Sequence, residues 1–474
     1  MSQHNPKYTG HKELIGTRFC HDQRINQVKQ ILHTALQEYQ QKVTKITPPN
    51  PALKQSYDEM IASFIEYRGN KLWFPYIGSG FGNGALVELA DGSVKYDFIS
   101  GVGVHFFGHN HPDILNALVE SAISNTIMQG HLQQNVDSLE LSSALISASG
   151  LDHCLLTTAG ALANENALKI AFQKRFPANR ILTFNRCFLG RTLATAQITD
   201  KASYREGLPS NFFVDYIPFF DEAHPKESTD AAKNALNDII RRYPNQHALM
   251  CFELVQGEGG CYTGSHHFFT SLMEILKAND IAILVDEVQT FGRTDQLFAF
   301  QHFNLQSFVD IVTVGKLLQV CATLFTEKYK PRPGLISQTF TSSTSAIKAA
   351  TVILNKLLNE NFFGANGKNA VFHHYFVKQL KNLAERYPKY LSGPFGMGSM
   401  IAFTLFDGNE EKSIKFVRRL FDAGVMSFIA GGEKYPTRIR FLLPSGAISF
   451  YDLDKVFAVL EETLVAFIQE MEVT

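Results

Sequence analysis

The chain has 474 residues, 45% of them hydrophobic, which is more than one ordinary domain and ample for a large core. Its net charge of -1 leaves no basic footprint, so nucleic acid is not expected as a partner. Six scattered cysteines without a Cys-x-x-Cys pair argue against a disulfide scaffold or zinc ribbon and fit free thiols in a reducing cytoplasm.

At the start, MSQHNPKYTGHKE lacks the apolar run of a signal peptide, and no later stretch is long enough to span a bilayer. A soluble cytoplasmic protein is expected. Ile25, Val28, Ile31, Leu32, Ala35, Leu36 and Tyr39 keep helical spacing, which predicts a helix stopped by the TPPNP segment at 47–51. GSGFGNG, at 78–84, fails the G-x-G-x-x-G pattern and precedes a strand, so a plain loop is expected. ALVELADGSVKYDF reads as a hairpin turning at Asp91-Gly92. His109 and His111, in GHNHP, have no carboxylate cluster beside them, and a turn or packing role is expected in place of a metal.

From about 150 to 316 short apolar runs alternate with helical stretches: CLLTTA, ILTF, ALMCFELV, IAILVDEV and DIVTVGK. Continuous apolar strands separated by helices predict a mostly parallel sheet covered on both faces, an α/β fold. Ligands of such sheets bind beyond the carboxyl ends of the strands. The tail reads as a smaller α+β unit. TRIRFLLP is its strand, and Ser449 with Asp452 forms a capping box before a helix bearing Leu453, Val456, Phe457, Leu460 and Leu464.

Three strand-end features stand out. Asp286 and Glu287 follow IAILV, and Lys316 ends DIVTVGK. Alone, such acids can cap a helix or pair with an arginine, and such a lysine can snorkel to the surface. Gly315-Lys316 lacks the flanking residues of a nucleotide P-loop. Thr158-Ala159-Gly160-Ala161 joins a strand to a helix with residues small enough for the backbone to approach an anion. Together they supply what pyridoxal phosphate chemistry needs: a lysine for the aldehyde, an acid for the pyridine nitrogen and a helix start for the phosphate.

VDEVQTFGRTDQLFAFQHF followed by DIVTVGK resembles the signature of class III aminotransferases, a branch of the fold-type I pyridoxal phosphate enzymes. YDFISGVGVHFFGHNHP, AGALANENALKIA, CFLGRT, FELVQGEGG and RIRFLLP resemble other family segments in the same order, over roughly residues 85 to 470. AGALANENALK and GKLLQVCAT most resemble the L-lysine 6-transaminase branch. The resemblance implies a large cofactor domain at 85–355, whose first part joins a small C-terminal domain at 356–474, with an arm and helix at 1–84.

It also implies residue roles. Lys316 would be the Schiff-base lysine and proton shuttle, and Asp286 the partner of the pyridine nitrogen. Gln289 would sit near the phenolic oxygen, Phe188 on the ring face, and Gly160 and Ala161 on the phosphate. Glu253 would belong to the cofactor set. Thr339 would reach the phosphate of a partner subunit in a homodimer. Arg191 would hold a donor's distal carboxylate, and Arg440 a carboxylate of 2-oxoglutarate. Glu258 would neutralise Arg440 while a terminal amine is bound.

Leu189, Leu254, the SSTS turn at 342–345 and a short segment between Lys316 and Thr339 depart from the family pattern. The expected reaction is transfer of the terminal amine of lysine or a similar diamino acid to 2-oxoglutarate. The alternatives are an acetylornithine, ornithine or 4-aminobutyrate transaminase, a racemase or isomerase of the same fold, and a non-catalytic binding protein.

Overall fold

In the computed structural model the described residues are 14–124 and 128–473. A seven-stranded sheet forms the centre, in the spatial order His153–Thr157, Cys321–Phe325, Ile311–Val314, Ala282–Glu287, His247–Phe252, Arg180–Phe184, Phe213–Ile217. Neighbouring strands pair in parallel except Cys321–Phe325, which runs antiparallel to both of its neighbours. The expected mostly parallel α/β sheet is therefore present. Its strands read as unbroken apolar runs because both faces are covered. Ile283 and Val285 enter one apolar cluster, while Ala282 and Leu284 enter another.

The antiparallel strand has a local cause. After Val314 the chain reverses within a few residues and returns as Cys321–Phe325. The reversal passes so close to the returning strand that a Cβ on Gly315 would meet Cys321 Sγ at 2.6 Å. Lys316 therefore projects from a tight turn at the carboxyl end of the sheet.

A second body of structure involves both ends of the chain. Leu391–Met397, Met400–Leu405, Tyr435–Leu442 and Phe428–Gly432 form an antiparallel sheet in that order. The hairpin of Leu86–Leu89 and Val94–Asp97 forms as expected, with Gly92 at φ +79, and Val425–Met426 pairs beside it in parallel. Val43, Leu86, Tyr96 and Phe98 share one apolar cluster with Phe376, Phe441 and the final helix, Phe450–Val473. That helix opens on the expected reciprocal contact, in which Ser449 N–H donates to Asp452 and Asp452 N–H donates to Ser449 Oγ.

Several expectations need correction. The arm helix, Gln23–Gln40, ends before TPPNP. Pro51 opens a short turn that leads into an unexpected second helix, Lys54–Arg68, closed by Gly69 at φ +66. Proline suits a first turn, where its missing N–H costs no hydrogen bond. GSGFGNG is not a loop. Gly78–Asn83 is a strand paired with Leu86–Leu89 through an irregular register. Its glycines carry no side-chain alternation, so the strand left no periodic signal.

His109 Nε2 lies 3.1 Å from Asp97, and His111 caps the helix Pro112–Ala122 by accepting from Asp113 N–H. Among the described residues no helix is long and apolar enough to cross a membrane.

Candidate active site

Beyond the carboxyl ends of the central strands lies a cavity of about 670 Å³. Lys316, Asp286, Gly160, Ala161, Phe188, Glu253, Gln289, Arg191, Glu258 and Arg440 all line it. Thr339 does not. It is exposed and packs against Gly130, whose Cβ, if present, would meet the Thr339 carbonyl oxygen.

Lys316 sits at φ +47, in the left-handed region that side chains other than glycine rarely adopt. Holding it there costs on the order of 1–3 kcal/mol, which the packed turn must impose. Burial pushes its amine down to about 8, and the nearby Arg440 charge adds to that, while Asp286, Glu253 and Glu258 oppose it. A lysine in this state is a far better nucleophile and base at neutral pH than an exposed one.

Asp286 is 6% exposed. One of its oxygens accepts from Asn164 Nδ2 at 2.8 Å and the other from Val288 N–H at 2.8 Å. Asn164 is in turn fixed by Thr313, whose hydroxyl donates to Asn164 Oδ1 at 2.8 Å. Burial raises the Asp286 carboxyl, and these donors and the Lys316 charge pull it back toward ionisation. Glu287, its neighbour, has the ordinary role. It accepts from the N–H groups of Ala299 and Phe300 at 2.8 Å each, at the start of a short helix.

The helix Gly160–Arg175 starts at the cavity with Ala159 as its N-cap, so no side chain covers its first N–H groups. Gly160 is required there, since a Cβ would meet Val288 Cγ1 at 2.7 Å. A Cβ on Gly190 would meet Ala161 at 2.7 Å in the same wall. Glu253 accepts from Phe188 N–H at 2.9 Å and Gly257 N–H at 3.0 Å. Its burial, and the charge of Asp286, push the carboxyl up to about 8.

The opposite wall is ionic. Arg440 is fully buried, with Nη2 3.3 Å from Glu258 and Nη1 3.4 Å from Gln289 Oε1. Glu258 also accepts from Lys201 Nζ at 3.4 Å. Arg191 lies 3.8 Å over the ring of Tyr204, which stands edge-on to Phe188. Lys201, Tyr204, Asn164 and Val288 were not foreseen in the sequence, although all four line the cavity. Asn164 alone had a usable signal, because it lies one turn into the helix that opens at Gly160.

These residues fit pyridoxal 5'-phosphate on three counts. The helix start offers uncapped N–H groups to a phosphate, Asp286 offers a buried acid to a ring nitrogen, and Lys316 offers an amine with a lowered proton affinity.

Residues 79–464 match the family model described as "Aminotransferase class-III". The acetylornithine aminotransferase of Methanocaldococcus jannaschii is 29% identical over 384 residues, which is 77% of this chain and 87% of that protein. A lysine aminotransferase from M. tuberculosis, solved in its internal aldimine form, aligns with a TM-score of 0.76 at 22% identity over 86% of this chain and 99% of that one. The ornithine aminotransferase of Toxoplasma gondii aligns with a TM-score of 0.76 at 22% identity over 87% of this chain and 96% of that one. At these identities the two structures speak for the fold. The match over residues 79–464 settles the family: this chain is a class-III aminotransferase, an enzyme whose cofactor is pyridoxal phosphate.

Proposed function

We propose that this chain transfers the terminal amine of lysine, or of a similar diamino acid, to 2-oxoglutarate. The observation that carries the terminal-amine part of this reading is the Glu258 carboxylate held between Arg440 and Lys201 at 3.3 and 3.4 Å. A terminal amine brings no carboxylate to its reacting carbon, so Arg440 must then be neutralised from within the protein, and Glu258 does this. A keto acid does bring one, and its carboxylate takes the Arg440 fork when Glu258 withdraws. Arg191 holds the far carboxylate of the donor.

When bound, pyridoxal phosphate supplies an aldehyde that takes up amines and a ring that accepts electrons from the adjacent carbon. Lys316 would hold the cofactor through its side-chain nitrogen, and once a donor amine displaces that nitrogen, the freed neutral amine would take the proton from the donor's terminal carbon. Asp286, oriented by Asn164, keeps the ring nitrogen protonated. Gly160 and Ala161 would hold the phosphate, and Phe188 and Gln289, which line the same cavity, would flank the ring. Glu253 anchors the backbone of Phe188 and Gly257.

A second reading takes acetylornithine or ornithine as the donor. The curated relative favours it, being an acetylornithine aminotransferase by name. Arg191, Glu258 and Arg440 suit either donor.

We also infer a homodimer. The exposed Met128, Leu139 and Phe340 lie near Thr339, since Phe340 follows it, Met128 pairs with Ser343, and Leu139 lines a cavity with Gln338 and Thr341, and covering them would remove apolar surface from water. Thr339 would then serve the partner's phosphate site. The six cysteines are all free, which suits a reducing cytoplasm.

The test is glutamate formation from 2-oxoglutarate with lysine, ornithine, acetylornithine or 4-aminobutyrate in turn. Lysine as the fastest donor supports the reading. Acetylornithine or 4-aminobutyrate as the fastest, with lysine inert, rejects it.

A further inference from the structure

A second cavity, of about 950 Å³, shares no lining residue with the first. Its wall contains two guanidinium groups from distant parts of the chain, Arg186 and Arg438. Arg186 lies 4.2 Å from the Tyr262 ring and 4.1 Å from the Tyr435 ring. Arg438 lies 4.0 Å from the Tyr262 ring and 3.5 Å from the Phe395 ring. The aromatic rings thus cover guanidinium faces and leave the N–H edges as the reactive part.

One nitrogen of each guanidinium, Nε, lacks a partner. Arg438 is 6% exposed, and its Nε has no hydrogen-bond partner. Nε of Arg186 is likewise buried without a partner. Neither guanidinium is ion-paired among the described residues, and for the buried Arg438 an unpaired charge is costly. The other charged groups of the wall do not supply the missing partner. Asp221, Glu222 and Lys381 are exposed, and His373 is engaged with the Gly398 carbonyl at 2.8 Å.

We propose that this cavity is a binding site for a small oxyanion, a carboxylate or a phosphate, which pairs with Arg186 and Arg438. Planar guanidinium forks with covered faces are suited to such groups. The site adjoins the catalytic machinery. Arg438 Nη1 donates to the Gly260 carbonyl at 2.7 Å, and a Cβ on Gly259 would meet the Arg186 carbonyl oxygen at 2.7 Å. Both arginines therefore support the turn that carries Glu258. Arg438 also lies two residues before Arg440 on the same strand, and so on the same face.

The test is calorimetric titration of the protein saturated with pyridoxal phosphate, at constant ionic strength and without substrate. Inorganic phosphate and citrate are the probes. Saturable binding of at least one is expected, weakened about tenfold or more by Arg438→Met and by Arg186→Met. Tighter phosphate binding assigns a phosphate ligand, and tighter citrate binding a carboxylate. Arg438→Lys and Arg186→Lys keep the charge while losing the fork, so they should also weaken binding and serve where the Met variants do not fold. No saturable binding of either probe, or binding unchanged in the variants, overturns the proposal. Neither outcome depends on which donor the enzyme transaminates.

Discussion

Arg440 Nη2 lies 3.3 Å from the carboxylate of Glu258, and that carboxylate also reaches Lys201 at 3.4 Å. One acid therefore answers two cations in the cavity wall. Glu258→Gln leaves both cations without it. Donors with no carboxylate at the reacting carbon should then suffer, because Arg440 is left uncompensated. Glutamate, which carries one, should suffer much less. The ratio of kcat/KM for a terminal-amine donor to that for glutamate should fall by about tenfold or more, roughly 1.4 kcal/mol. An unchanged ratio contradicts the assigned role.

Asn164 joins Thr313 to Asp286 through two hydrogen bonds of 2.8 Å. Asn164→Leu keeps similar bulk but removes the donor that orients the acid. A lost hydrogen bond to a charged group costs about 1.5–3 kcal/mol. Pyridoxal phosphate affinity should drop about tenfold or more in an absorbance titration of the cofactor-free protein. Affinity equal to wild type would show that Asp286 is held without Asn164.

The Lys316 amine is pushed down to about 8, so its neutral fraction grows as pH rises through that value. Only the neutral amine attacks an aldehyde. The rate of pyridoxal phosphate uptake by the cofactor-free protein should therefore rise with pH and level off above a midpoint near 8. A midpoint near the ordinary lysine value of 10.5 contradicts the burial account.

Glu253 is displaced the other way, from its usual 4.5 up to about 8. A group with a raised folded-state value stabilises fully below its unfolded value, and that contribution is lost as pH rises through the folded one. In the cofactor-free protein, wild type should lose Tm relative to Glu253→Gln as pH rises from 5 to 8. A constant Tm difference across that window contradicts the assignment. The variant's loss of one acceptor for Phe188 or Gly257 N–H is independent of pH and does not mimic the slope.

The strand-end chemistry was legible in the sequence for a physical reason. A strand buried on both faces reads as a continuous apolar run, so the polar residues that end it, Asp286 and Lys316, are conspicuous. Residues that act through long-range proximity left no such mark. Lys201 and Glu258 are 57 positions apart, and nothing local to either foretells their contact. Cys321–Phe325 follows a tight reversal whose direction depends on Gly315 and Cys321 packing together. The helix Lys54–Arg68 did carry a signal, in Ile61, Phe64 and Ile65 before Gly69, but only Tyr57 of it is buried. Gly78–Asn83 carried none, because glycine does not report which face of a strand it occupies.

The most direct measurement is to reduce the cofactor-loaded protein with borohydride and locate the added mass by peptide mass spectrometry. The account predicts one pyridoxyl phosphate group per chain, on Lys316, and none after Lys316→Ala. Modification of a different lysine in the wild-type protein, or cofactor binding that leaves Lys316 unmodified, would contradict it.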